Sequence, residues 1–163
     1  MTEQTSGAVP ELTVAIAAYN ERATIMQVLE RVMAVPVTKQ IIVVDNCSTD
    51  GTRELLANLD DSVEVIFQPR NLGKGTSIRT AITHARGEYF IIQDADLEYE
   101  PEQYPRLLSY AREHDLDALY GSRVMEGRNT NYVGYYFGVQ ALTWMTNVLY
   151  GACLLYTSDA ADE

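Results

Sequence analysis

Short runs of Val, Ile and Ala recur along the chain, and between them apolar residues return at every third or fourth position. The runs Leu12 to Ala18, Gln40 to Val44, Val63 to Gln68, Tyr89 to Gln93 and Ala118 to Gly121 read as strands. The intervening stretches carry apolar stripes at helical spacing. One is Ile25, Val28, Leu29, Val32 and Met33, and a second begins at Leu55, Leu56 and Leu59. A third is Ile78, Ala81, Ile82 and Ala85, and a fourth Tyr104, Leu107, Leu108 and Ala111. Strands alternating with amphipathic helices predict an α/β fold, a Rossmann-like, mainly parallel sheet with helices on both faces. No internal repeat or low-complexity linker interrupts the pattern.

The polar motifs fall at particular places on this pattern. Ala17 to Glu21, Asp45 to Thr52, Asn71 to Gly75 and Asp94 to Asp96 follow strands or open helices. Ligands of open α/β sheets bind beyond the carboxyl ends of the strands, so three of these segments converge on one crevice. The 71 to 75 loop can line the same rim.

Size and charge narrow the function. A chain of 163 residues is long enough for one domain with a real core. The net charge of -11 and the lack of any Lys/Arg-rich run make a nucleic-acid backbone an unsuitable partner. Cys47 and Cys153 cannot make a disulfide framework, which fits a reducing compartment. Residues 1–11 form a polar tail with no apolar run, unlike a secretory signal, so a cytoplasmic location is the default.

From Tyr132 to Ala152 there is no charged residue. The stretch is long enough to span a membrane, but Gly134, Gln140, Thr143, Thr146, Asn147 and Gly151 dilute it. A helix lying on a membrane surface, or one packed on the sheet, is the expectation. The string Cys153 to Glu163, CLLYTSDAADE, resembles the in-frame translation of a transposase mosaic-end sequencing adaptor. These residues are therefore expected not to be native, and the natural protein is expected to continue past Ala152. Three of the acids behind the net charge, Asp159, Asp162 and Glu163, fall in this string.

Asp94-Ala95-Asp96 carries the clearest chemistry. If extended, residues at i and i+2 point to the same side, so both carboxylates would face one spot. Mg²⁺ or Mn²⁺ takes one or two carboxylates together with phosphate oxygens, which suits a metal-diphosphate complex. Such acid pairs are otherwise solvated loop residues. Asp45, at the end of Ile41-Ile42-Val43-Val44, either caps the next helix or receives a donor group from a base or ribose. Ser48, Thr49 and Asp50 read as helix-opening residues, and Asn20-Glu21 as a cap or a ribose contact.

Asn71-Leu72-Gly73-Lys74-Gly75 offers flexible backbone and a cation before a helix, a combination suited to phosphate. It is not a Walker A loop, because Gly75 stands where Ser or Thr is needed. It is not the dinucleotide fingerprint either, because Ile78 stands at the third Gly. Cys47, His84 and His114 have no partner pattern.

Taken together, AAYNE (17–21), VVDNCSTDGT (43–52), NLGKG (71–75), QDADLEYEP (93–101) and YGSR (120–123) resemble the family 2 glycosyltransferases of GT-A fold. The nearest branch looks like the polyprenyl-phosphate and dolichyl-phosphate sugar synthases. The resemblance implies an incomplete GT-A domain over 12–152. It also implies inverting, metal-dependent transfer from a UDP- or GDP-sugar to a lipid phosphate or a glycan hydroxyl, at the cytoplasmic face of a membrane.

Asp96 would then bind Mg²⁺ or Mn²⁺, with Asp94 near the metal or the ribose. Ala18, Tyr19, Glu21 and Asp45 would line the nucleoside side. Lys74, Ala95 and Arg123 would be donor-side or structural contacts. A hydroxyl acceptor would need a general base, which the family pattern places beyond Ala152. Two departures stand out: Ala17 where the family often has Pro, and Asn46 where it often has a second Asp. A sugar nucleotidyltransferase is the rival enzyme class, but it is expected to carry a Gly-rich loop after the first strand, where Ala17-Ala18-Tyr19-Asn20-Glu21 stands. An inactive nucleotide-binding or membrane-associating fragment is the other alternative.

Overall fold

The structure is a computed structural model that describes residues 9–119. The chain divides into two compact units, Met1–Asp117 and Ala118–Glu163, and every element below belongs to the first. Its strands are β1 (Leu12–Ala18), β2 (Lys39–Asp45), β3 (Glu64–Phe67) and β4 (Tyr89–Asp94). Its helices are α1 (Ile25–Ala34), α2 (Thr52–Leu56), α3 (Lys74–His84) and α4 (Tyr104–Glu113), the last preceded by a 3-10 turn at Pro101–Gln103. In the fifth expected strand, Ala118 and Leu119 are not in a strand, and Tyr120 and Gly121 lie outside the described residues. Arg123, the 132–152 stretch and the 153–163 string also lie outside them. Among the described residues, no helix is long and apolar enough to cross a membrane.

The four strands lie in the order β3-β2-β1-β4, and every pair is parallel. β1 and β2 take the centre because they are apolar on both sides, as strands covered on two faces must be. Leu12, Val14, Ile16 and Ala18 of β1, with Ile41 and Val43 of β2, face the larger core. There they meet Ile25, Val28, Leu29 and Val32 of α1, Leu56 of α2 and Tyr104 and Leu108 of α4. Ala15, Ile42 and Val44 face the other way, onto Ala81 of α3. Helices thus cover both faces, as expected, three on one and α3 on the other.

Two helices differ from their expected stripes. α2 stops at Leu56, so Leu59 packs on the core from outside it. α3 turns Ser77 and Ala81 inward and leaves Ile82 54% exposed. The residue just past β3 explains this phase, because Gln68 is buried opposite α3 and needs polar partners. Ser77 Oγ donates to Gln68 Oε1 at 3.4 Å, and Gln68 Nε2 donates to Thr80 Oγ1 at 3.4 Å.

A second buried polar network closes the amino end of the sheet. Thr13 Oγ1 donates to Gln40 Oε1 at 3.0 Å and accepts from Gly87 N–H at 2.8 Å. Gly87 enters this corner so closely that an added Cβ would stand 2.4 Å from the Thr13 backbone nitrogen and 2.6 Å from the Leu12 carbonyl carbon. Both neighbours are main chain of the central strand and cannot step aside. Gly87→Ala is therefore expected to destabilise the fold by about 1–3 kcal/mol, the usual range for overpacking. Urea titration checks this, and an unchanged midpoint would show that the corner gives way.

Candidate active site

The parallel register brings the four polar segments to one edge. Ala18 pairs with Asp45, Asp45 with Phe67, and Ala17 with Asp94, so three connections leave the sheet at nearly the same level. The 94–96 segment emerges beside them from β4. Positive-φ backbone clusters here: Asn20 (59°), Cys47 (66°) and Leu97 (68°) turn the loops after β1, β2 and β4. Each such residue costs on the order of 1 kcal/mol, so the surrounding contacts must over-determine it.

Those contacts are mostly amide hydrogen bonds between loops. Asn20 N–H donates to Ser48 Oγ at 3.0 Å, and Asn20 Oδ1 accepts from Thr49 N–H at 2.8 Å. Asn20 therefore ties the first loop to the second, and α1 instead begins after Thr24, whose hydroxyl donates to Glu21 Oε2 at 2.9 Å. Asp50 lies just ahead of α2, whose cap is Gly51, and accepts from Thr52 N–H at 3.0 Å. The Thr52 hydroxyl also donates to it, which holds the Asp50 carboxyl below the usual carboxylate range.

Asn46 links the second loop to the third. Its amide nitrogen donates to Asn71 Oδ1 at 2.8 Å, and its oxygen accepts from Leu72 N–H at 2.8 Å. Sequence reasoning noted Asn46 only as a departure from Asp. No sequence signal pairs it with Asn71, because the two loops meet only once the sheet order is set.

Asp45 is fully buried. Ser48 N–H donates to both its oxygens at 3.3 and 3.4 Å, and Arg53 Nε lies 3.5 Å from Oδ2. Arg53 also donates to Gln68 O at 3.1 Å and lies 5.0 Å from the centre of the Phe67 ring. Asp45 does not cap α2; it accepts from Ser48 N–H within its own loop, and Arg53 is a partner that the motifs did not single out. Ala18 is buried and its carbonyl accepts from Asn46 N–H at 2.8 Å, whereas Tyr19 stands at the rim, 46% exposed.

The acid pair is built differently from expectation. β4 ends at Asp94, so Asp96 is not two residues along a strand but in a turn that Leu97 completes, its Oδ1 accepting from Glu98 N–H at 3.0 Å. Ala95 points into the larger core. Beneath the pair, Tyr104 Oη donates to buried Gln93 Oε1 at 2.6 Å, and Gln93 Nε2 donates to Asp94 O at 3.0 Å. Burial pushes the Tyr104 phenol well above its ordinary range, so it remains a donor.

Lys74 pairs with the first of the two acids. Its Nζ lies 2.9 Å from Asp94 Oδ1. Burial alone would lower the ammonium, but the hydrogen bond to Asp94 and the fields of Asp94, Tyr99 and Asp96 outweigh it and raise it. Asp94 thus holds the ammonium directly, and Asp96 acts on it only through its field. Among the described residues, no group of three or more His, Cys, Asp or Glu side chains could hold a metal by itself. Any metal here would take further ligands from substrate.

Comparisons with known proteins agree with this architecture. Residues 13–151 match the profile described as Glycosyl transferase family 2. The chain is 34% identical over 150 residues to the low-salt glycan biosynthesis hexosyltransferase Agl6 of Haloferax volcanii, covering 88% of this chain and 35% of that protein. It is 34% identical over 111 residues to an undecaprenyl-phosphate 4-deoxy-4-formamido-L-arabinose transferase of Proteus mirabilis, covering 63% and 34%. The chain spans about a third of the length of these curated relatives. Among solved structures, S. aureus TarS 1-349 in complex with UDP superposes with a TM-score of 0.60 at 23% identity over 74% of this chain and 38% of that one, which shows the GT-A fold. Mannosyltransferase PcManGT from Pyrobaculum calidifontis, in complex with GDP-Man and Mn2+, superposes with a TM-score of 0.52 at 28% identity over 59% and 30%. With the family match covering most of its length and the parallel sheet carrying the family's motifs along one edge, the chain belongs to glycosyl transferase family 2.

Proposed function

We propose that the protein is an inverting, metal-dependent hexosyltransferase that moves a sugar from a UDP- or GDP-sugar to a polyprenyl phosphate or a glycan hydroxyl. The observation that carries this reading is the cation at the acid pair. Lys74 is held by Asp94 within the field of Asp96, so the site is already organised around positive charge. Oxygen donors of this kind fit Mg²⁺ or Mn²⁺, hard ions that complete their shells with phosphate oxygens and water. Asp96 and Asp94 would hold the ion. Its chemistry there would be to offset charge on the departing diphosphate. The structural relative in complex with GDP-Man and Mn2+ supports a metal accompanying the donor.

The chain's own residues supply binding and orientation. The rim ring of Tyr19 and the carboxylate of Glu21 serve the nucleoside side, with Asp45 shaping that side from below through Ser48 and Arg53. α3 has no acid in its first turn and no side-chain cap at Gly73, so its amino end favours the diphosphate. The acceptor oxygen attacks the anomeric carbon as the bond to the diphosphate oxygen breaks, and the diphosphate leaves with the electron pair. A lipid-phosphate acceptor, with a second pKa of about 6 by analogy with phosphorylated side chains, is largely dianionic at neutral pH and needs no strong general base. The polyprenyl-phosphate relatives favour that acceptor and a reaction at a membrane surface.

The phosphate side depends on the loop that Asn46 holds. Leu72 N–H and Gly73 N–H each require an oxygen, which leaves the Asn46 NH₂ facing the Asn71 oxygen. An Asp at position 46 would set oxygen against oxygen. Rotating Asn71 to relieve this would strand Gly73 N–H. Asn46→Asp is therefore expected to lower stability by about 1–3 kcal/mol, the cost of an unmet polar group. Denaturant titration reads this, and an unshifted midpoint would mean that the clamp contributes nothing.

The site itself is tested by calorimetry with UDP- and GDP-sugars and Mn²⁺. Asp96→Ala is expected to abolish metal-dependent donor binding with the fold intact. Asp94→Ala should weaken it by about tenfold or more, since even groups that only support a metal ligand are worth that much. Unchanged affinity in both variants would refute the assignment.

A further inference from the structure

Lys74 occupies an unusual position for a residue of the donor side. As the first residue of α3, with Gly73 as its helix cap, it stands where phosphate is favoured, yet its ammonium is turned onto Asp94. Asp94 is only 19% exposed, whereas the Lys74 side chain is 56% exposed. The carboxylate is therefore the sheltered partner and the lysine the one able to swing away. The backbone under Lys74 is held by Asn46 through Leu72 and Asn71, so a change of partner requires only rotation of the side chain.

Resting on the donor reading above, we propose that Lys74 is a displaceable counter-ion for the acid pair and makes metal binding conditional on the donor diphosphate. An ammonium 2.9 Å from Asp94 and a divalent ion on the same carboxylate are like charges in contact, poorly screened at a sheltered site. Metal arriving alone must evict the ammonium into water. Metal arriving with a diphosphate gives it a new anionic partner at the same helix end, reached by a four-carbon stem with rotatable donors. The two ligands then bind with positive coupling, and each strengthens the other by the same factor. Until then Lys74 balances the charge of Asp94, which would otherwise be a poorly solvated anion. Lys74 is thus a positioning and gating residue that contacts the donor only in the loaded state.

Electron paramagnetic resonance of free Mn²⁺, titrated with the full chain with and without UDP or GDP, separates this from a lysine that only binds phosphate or only braces the fold. Lys74→Met is expected to bind Mn²⁺ alone about tenfold tighter than the unaltered protein, within the usual range for coupled sites. The gain in Mn²⁺ affinity produced by the nucleotide should shrink by a similar factor. Lys74→Gln should repeat both effects, which guards against a misfolded methionine variant, and Lys74→Arg should behave like the unaltered protein. A protein that shows no metal-dependent UDP or GDP binding at all would defeat the donor reading and this inference with it. Normal nucleotide binding, with Mn²⁺-only affinity unmoved or lower in both neutral variants, would overturn the counter-ion role alone.

Discussion

The register of β1 between β2 and β4 is the constraint on which the site depends. Because side chains alternate along a strand, Asp94 shares a face with Phe90 and Ile92, the side on which α3 lies, while Gln93 faces α1 and α4. A slip of one residue in β4 would exchange those faces. Gln93 would lose the Tyr104 hydroxyl, Asp94 would be driven into an apolar core, and Lys74 would face no carboxylate. The core thus decides where the charge goes. The buried rows Leu12, Val14, Ile16, Ala18 on one side and Ala15, Ile42, Val44 on the other hold that register.

Above the sheet, amide and hydroxyl groups do most of the work of holding the loops, alongside Arg22 N–H donating to Asp50. Asn20, Asn46, Ser48 and Asn71 join three loops through neutral hydrogen bonds, strong enough to keep Asn20 and Cys47 in left-handed conformations. The fully buried carboxylate, Asp45, is committed to Ser48 and Arg53. Asp94 and Lys74, by contrast, are paired with each other, and the more exposed Lys74 is the partner for which solvent and ligand can compete. Loops held mainly by neutral contacts, with an exchangeable charge pair at their edge, suit the metal and diphosphate binding proposed above.

Much of this was legible in the residues, for physical reasons that differ by position. β1 matched its expected bounds because its apolar run is flanked by polar residues at both ends. β4 ran one residue further, to Asp94, and β2 one further at each end, from Lys39 to Asp45, because a parallel ladder can continue through an acid whose side chain finds a partner. Periodicity misjudged the inward face of α3, since it scores Ile82 above Ser77 and does not see that buried Gln68 needs hydroxyl partners. The acids at 94 and 96 are set by a turn at Leu97 and not by one continuous strand, and no propensity rule anticipates that turn for a leucine. Asn46 and Asn71 are 25 residues apart, and their contact depends on the sheet order.

The most direct test of the account is anomalous diffraction from crystals of the protein grown with Mn²⁺ and a nucleoside diphosphate. The account predicts a manganese peak within coordination distance of Asp96, shared with diphosphate oxygens and close to Asp94, at the carboxyl edge between β1 and β4. Manganese and nucleotide bound elsewhere, with Asp94 and Asp96 facing only solvent, would contradict it.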